Sequence, residues 1–293
     1  MLNKIHIALL LMATALPHVG YTVPKVVATI NPIQFLVSDV GRGILDSNIH
    51  TLGTSCVHDC VLKPSDVASL NSADIVFYVD ERMEPYIKKL RGPGKALIRL
   101  SDEVELLPDR STKRANGSSN NVNDFHIWLN PDNAKKIVEK ICSVLSDADP
   151  ENAQIYRSNA DSTIAGIDAL KLKVHDLLEP VKNVPYIVAH DAYQYFDSYF
   201  GLNFKASLTA GHTLHTTARE LSFAKKTAKK FGVKCIFVSD TKNSYRLISK
   251  HMKITVVDPI GKSIVNNKNG YAKLIEELAT QFQRCLEKTD YKE

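Results

Sequence analysis

The stretch Asp149-Pro-Glu-Asn-Ala-Gln-Ile-Tyr-Arg-Ser-Asn-Ala-Asp-Ser-Thr-Ile-Ala-Gly-Ile-Asp-Ala-Leu-Lys-Leu-Lys-Val-His-Asp-Leu-Leu-Glu-Pro180 decides the architecture of this 293-residue chain. Proline at 150 suits the first turn of a helix. Tyr156, Ala160, Ile164, Ile167, Leu170, Val174 and Leu177 then recur every three or four residues until Pro180 ends the pattern. The reading is one helix of about 29 residues, roughly 43 Å long at 1.5 Å per residue. A helix of that length in a chain of this size is a spine between two units rather than a part of one small domain.

The flanks repeat each other in outline. Before the spine, Val26–Ile30, Ile49–Leu52, Ile75–Val79 and Ala96–Leu100 read as buried strands, with helices over 33–40 and from Pro64 through Leu70, and a further helix over 132–145. After it, Pro185–Ala189, Phe204–Leu208, Cys235–Val238 and Ile254–Val257 read as strands. Helices over 193–200 and 216–231 fall among them, and a closing helix buries Tyr271, Leu274, Ile275, Leu278, Phe282 and Leu286. Strands separated by helical segments imply βαβ crossovers and mainly parallel sheets. The expected fold is therefore α/β, with two similar lobes joined by one long rigid helix and a cleft between them for a ligand. The boundaries are a leader over 1–20, a first lobe over 24–146, the connecting helix over 147–180 and a second lobe over 181–293. A chain of this length gives each lobe enough residues for a core of its own.

Composition excludes several classes. Hydrophobic residues at 44% and charged residues at 24% match a globular protein rather than a disordered one. The net charge of +5 is modest, and Lys225, Lys226, Lys229 and Lys230 fall at helical spacing as a solvated face, so nucleic acid is not an expected partner. Lys4 followed by an apolar run from Ile5 to Leu16 has the form of a secretory signal peptide, cleaved after Ala15 or Gly20; the run is too short to span a bilayer. The mature protein is expected to be soluble and exported.

Export changes how the five cysteines are read, because thiols outside the reducing cytosol tend to pair. Cys235 in a strand and Cys285 near the end of the last helix are candidates for a disulfide. It would close a loop of about 50 residues and contribute up to about 4 kcal/mol on a chain-entropy estimate. Cys142 reads as a buried helix residue. Cys56 and Cys60 flank His58 and form a local disulfide, stay free or offer thiolates to a metal.

Four candidate ligands, His58, His126, His190 and Asp258, sit in loops just beyond strands at nearly equal intervals, two from each half. Three imidazoles and one carboxylate suit a tetrahedral zinc site better than the all-oxygen shells of magnesium or calcium. His126 lies in Asp124-Phe-His-Ile-Trp-Leu-Asn-Pro131, which holds the only tryptophan, Trp128, expected to pack in the core and hold the loop that aims His126. Asp59, Asp124 and Asp191 are the carboxylates placed to fix the imidazole tautomers.

The segments His58-Asp-Cys-Val-Leu-Lys-Pro-Ser-Asp66, Asp124–Pro131, Val188-Ala-His-Asp-Ala-Tyr-Gln-Tyr-Phe196 and Val257-Asp-Pro-Ile-Gly261 resemble, in order, the four metal-site motifs of the periplasmic zinc-binding proteins of ABC-type zinc importers, the cluster A-I solute-binding proteins. That resemblance covers nearly the whole mature chain. It implies the two-lobe fold, Zn²⁺ as the transported ligand held by His58, His126, His190 and Asp258, a membrane permease as partner, a monomer, and no catalysis. It favours zinc because manganese relatives carry glutamate where His190 stands, and it places a disulfide at Cys235 and Cys285. The chain departs from many zinc members in the 109–123 run, which has no histidine and so cannot collect accessory zinc. With four ligands already present, a local disulfide or free thiols at Cys56 and Cys60 are preferred over ligation. His212 and His215, where the resemblance places no ligand, read as exposed loop residues. The alternatives are a manganese receptor or adhesin on the same fold, and a zinc-dependent hydrolase, against which a fourth protein ligand argues.

Overall fold

A computed structural model of the chain describes residues 22–52, 62–90, 94–110, 123–209, 217–239, 252–264 and 268–287. The expected leader, His58 with Cys56, Asp59 and Cys60, and His212, His215 and His251 lie outside the described residues. So does most of the polar run before Asn123.

Strands β1 (Val26–Ala28), β2 (Ile49–Thr51), β3 (Ile75–Tyr78) and β4 (Ala96–Arg99) form one sheet in the order β2-β1-β3-β4, and every pairing is parallel. Strands β5 (Tyr186–Val188), β6 (Phe204–Ser207), β7 (Cys235–Val238) and β8 (Lys253–Val256) repeat that order as β6-β5-β7-β8, again all parallel. All eight expected strands are present, each within a residue or two of its expected bounds. In both sheets the direction of winding reverses beside the first strand of the lobe, which opens a crevice at the carboxyl ends of the strands.

The helices are α1 (Asn31–Val40), α2 (Pro64–Ser72), α3 (Pro131–Ala148), α4 (Ala153–Leu178), α5 (Gln194–Phe200), α6 (Ala218–Phe231) and α7 (Gly270–Leu286). The spine is α4, 26 residues of α-helix extended by single 3₁₀ turns at Pro150–Asn152 and Glu179–Val181. Its buried stripe is Tyr156, Ala160, Ile167, Leu170, Val174 and Leu178. Leu178 rather than Leu177 is the last fully buried position, since the residue four after Val174 returns to the same face.

The lobes do not bury separate cores. One continuous apolar cluster runs from Val26, Phe77 and Leu36 through Trp128, Ile137 and Ile167 to Tyr186, Phe237 and Phe282. The inner faces of both sheets thus pack on the shared layer of α1, α3, α4 and α7. Among the described residues only the outer faces have private clusters, under α2 around Leu70 and Val76 and under α6 around Ala224 and Ile236. The layer is tightly packed: a Cβ at Gly270, where α7 begins, would lie 2.5 Å from the Phe35 ring of α1.

Cys235 and Cys285 are disulfide-bonded, joining β7 to the end of α7 with Cα atoms 5.9 Å apart. Cys142, expected to be buried, is half-buried with a free thiol on α3. Among the described residues no helix is long and apolar enough to cross a membrane.

Just beyond β3, Glu84 is buried and accepts hydrogen bonds from the backbone N–H groups of Val79 (2.6 Å) and Asp80 (3.2 Å). Burial pushes its carboxyl up to about 7 despite those bonds. A glutamate in the unfolded chain loses its proton near pH ~4.3, so the stability linked to Glu84 is intact below that value and is lost as the pH rises through about 7. Glu84→Gln keeps an acceptor there and cannot ionise. Its stability relative to the native sequence, measured by urea unfolding, is expected to rise by about 2 kcal/mol or more between about pH 4.5 and about pH 8. A difference independent of pH would refute the assignment.

Candidate metal site at the lobe interface

The stretch Asp124–Pro131 folds as a chain of short-range restraints. Asp124 Oδ1 accepts from the His126 backbone N–H (2.9 Å) and lies 2.7 Å from His126 Nδ1. A single 3₁₀ turn follows at Ile127–Leu129. Asn130 then caps α3, its side-chain oxygen accepting from the N–H groups of Asp132 (2.8 Å) and Asn133 (3.4 Å), and Pro131 takes the first helical position. His126 is buried with only 2% of its surface exposed. An imidazole that donates Nδ1–H to a carboxylate is held in one orientation with Nε2 as its basic nitrogen, the arrangement common in metal-ligating histidines.

Trp128 is fully buried, and its indole N–H donates to the Pro259 carbonyl at 2.8 Å, across 131 residues of chain. Its own carbonyl accepts from the Tyr271 hydroxyl of α7 at 2.9 Å. The tryptophan therefore does more than hold the His126 loop: it stitches that loop to the peptide following Asp258. Asp258 itself closes a tight turn beyond β8, accepting from the N–H groups of Ile260 (3.1 Å) and Lys262 (2.5 Å). Asn31 at the start of α1 adds a second stitch, donating to the Gly261 carbonyl at 3.2 Å.

His190 follows β5 and is half-buried; its ring lies edge-on to that of His126 with centroids 5.6 Å apart. Residues from the two halves thus meet at the cleft. The structure brings His126 and His190 together and ties the Asp258 turn to the His126 segment through Trp128. Among the described residues no group of three or more metal-ligating side chains converges on one point, and His58 lies outside them.

Of the carboxylates expected behind the imidazoles, Asp124 takes that role with His126. Asp191 does not follow the expectation: both of its oxygens are engaged by Arg110, from Nε (2.8 Å) and Nη2 (2.7 Å). Arg110 also pairs with buried Asp197, which accepts from the Tyr186 hydroxyl. Burial opposes the charge on Arg110, yet Asp197 and Asp191 outweigh it and hold the guanidinium above its ordinary range. Nothing in the local sequence marked Arg110, since its partners lie 81 and 87 residues away.

A family model described as "Zinc-uptake complex component A periplasmic" matches residues 26–285. The chain is 28% identical to the high-affinity zinc uptake system protein ZnuA of Brucella suis biovar 1, over 90% of this chain and 92% of that protein. It is 25% identical to the protein of the same description from Haemophilus ducreyi, over 89% of this chain and 93% of that protein. A Zn(II)-bound variant of AdcAII from Streptococcus pneumoniae superposes with a TM-score of 0.79 at 21% identity, over 90% of this chain and 98% of that one. The laminin-binding protein Lbp of Streptococcus pyogenes gives 0.76 at 19%, over 90% and 99%.

Replacing Trp128 with phenylalanine removes the indole donor and leaves the Pro259 carbonyl without it inside the interface. Urea unfolding is expected to show a loss of about 2 kcal/mol or more. A loss under about 0.5 kcal/mol, the range of ordinary surface substitutions, would mean the stitch carries no weight.

Proposed function

The chain belongs to the zinc-uptake complex component A periplasmic family, and from that premise we propose that it is an extracytoplasmic receptor that binds free Zn²⁺ between its lobes and delivers it to the permease of an ABC-type importer. The bound ion is the cargo, held by His58 and His126 from the first lobe, 24–146, and His190 and Asp258 from the second, 181–293. The 147–180 helix is the rigid spacer between them. The observation that carries the reading is the edge contact of His126 and His190, two imidazoles delivered from opposite lobes, one of them already oriented by Asp124. Nitrogen-rich ligation with one carboxylate favours zinc over magnesium or calcium. The protein carries out no reaction in this scheme: four protein ligands leave no position for an activated water. The protein works as an exported monomer whose leader over 1–20 is removed.

Calorimetric titration of the apoprotein is expected to give one tight Zn²⁺ site per chain, with Mn²⁺ a poor competitor. His190→Ala should weaken it beyond the roughly 10- to 100-fold typical of losing an outer hydrogen-bond partner, and Asp124→Asn should fall within that range. Because the imidazoles must be deprotonated to bind, affinity should drop as the pH falls through about 6.5. Unchanged zinc affinity in His190→Ala would refute the site.

A further inference from the structure

Arg110 immediately precedes the 111–122 segment of the first half, yet among the described residues the strong contacts of its side chain are with the second. Its fork binds both oxygens of Asp191, a terminal nitrogen also pairs with Asp197, and the guanidinium carbon sits 3.5 Å from the centroid of the Phe204 ring on β6. The backbone around it is anchored to α5. Arg110 N–H donates to the Gln194 side-chain oxygen (3.3 Å), and Gln194 donates back to the Pro108 carbonyl (3.1 Å). Leu107 N–H donates to the Tyr195 hydroxyl (2.9 Å), which donates in turn to the Asp124 carbonyl (3.0 Å).

The placement matters because Asp191 follows His190 directly. A bidentate Arg–carboxylate pair fixes direction as well as distance, which a point charge does not. Holding the Asp191 side chain from outside restrains the peptide joining residues 190 and 191, and with it the direction in which His190 leaves the backbone. Buried ion pairs as a class are poor sources of net stability, since desolvating the charges offsets their attraction. A four-member cluster of Arg110, Asp191, Asp197 and Tyr186 with little net stability to offer therefore points to geometry. The same strap of residues 107–110 reaches, through Tyr195, the segment carrying Asp124 and His126.

We propose that Arg110 is a positioning residue for the metal site: acting through Asp191, it sets the orientation of His190 relative to His126 and so raises zinc affinity. This rests on the zinc-receptor reading above, and the experiment separates the two. Zn²⁺ dissociation constants, measured by competition with a chromophoric chelator, are compared for the native sequence, Arg110→Met, Arg110→Lys, His190→Ala and Val233→Ala. The last removes methyl groups from the outer core of the second lobe and controls for loss of stability alone. Apo melting temperatures and the d–d absorption of the Co²⁺-loaded forms are recorded for each.

Arg110→Met is expected to weaken Zn²⁺ binding by roughly 10- to 100-fold, the range for losing an outer hydrogen-bond partner, and to change the Co²⁺ spectrum. Arg110→Lys, which keeps the charge but loses the fork, should fall between it and the native protein. Val233→Ala should lower the melting temperature with affinity and spectrum unchanged. If Arg110→Met retains native affinity and spectrum while His190→Ala loses binding, the positioning role is wrong and the site stands. If His190→Ala also binds normally, the site itself is wrong. Should Arg110→Met fail to fold, Arg110→Lys decides: native affinity and spectrum there would overturn the role of the fork.

Discussion

The hydrogen bond from the Trp128 indole to the Pro259 carbonyl joins the two halves of the chain at the point where each half presents a candidate ligand. The Trp128 side of it is fully buried, and a buried donor left without an acceptor costs more than a hydrogen bond made contributes. Moving the lobes relative to each other at this point would leave the buried indole N–H without its acceptor. The Tyr271 hydroxyl on the Trp128 carbonyl and the Asn31 side chain on the Gly261 carbonyl oppose the same displacement. The spine helix sets the separation of the lobes, and these stitches set their relative orientation.

That orientation is possible because the lobes share a core. Two α/β units of this size would each bury a private interior if the connecting helices faced solvent. Here α1, α3, α4 and α7 are sandwiched between the inner faces of both sheets, so that apolar surface which neither lobe could cover alone is removed from water once for both. The disulfide from β7 to α7 ties the second sheet to this layer covalently. The outcome is a rigid frame with loops at the carboxyl ends of the parallel strands, the place where open α/β sheets receive ligands.

Polar chemistry at the interface follows the same economy. Asp124 orients His126 within one short stretch, while Arg110 meets Asp191 and Asp197, and Tyr195 bridges Leu107 and Asp124, from distant segments. Glu84 is the contrast, a carboxyl surrounded by donors but, among the described residues, by no cation, and burial holds it toward its neutral form. Membership of the zinc-uptake family gives this preorganisation a purpose. A site that holds a small cation through directed lone pairs works best when its ligands are aimed before the ion arrives.

Much of the fold was legible in the sequence because it is written in local periodicity. Eight apolar runs became eight strands, and the three-and-four spacing from Tyr156 onward became the spine. The strand-end positions of His190 and Asp258 were legible for the same reason, whereas His126, expected beyond a strand, instead leads into the 3₁₀ turn Ile127–Leu129 ahead of α3; Cys235 and Cys285 followed from their elements together with the expectation of export. What only the tertiary structure decided are relations between residues with no neighbourhood in the chain. Trp128 meets Pro259 across 131 residues, Arg110 meets Asp191 across 81, and both sheets pack on one shared layer. Periodicity records which face of an element is apolar but not what will cover it, and a carboxylate beside a histidine does not reveal that an arginine from the other lobe will claim it.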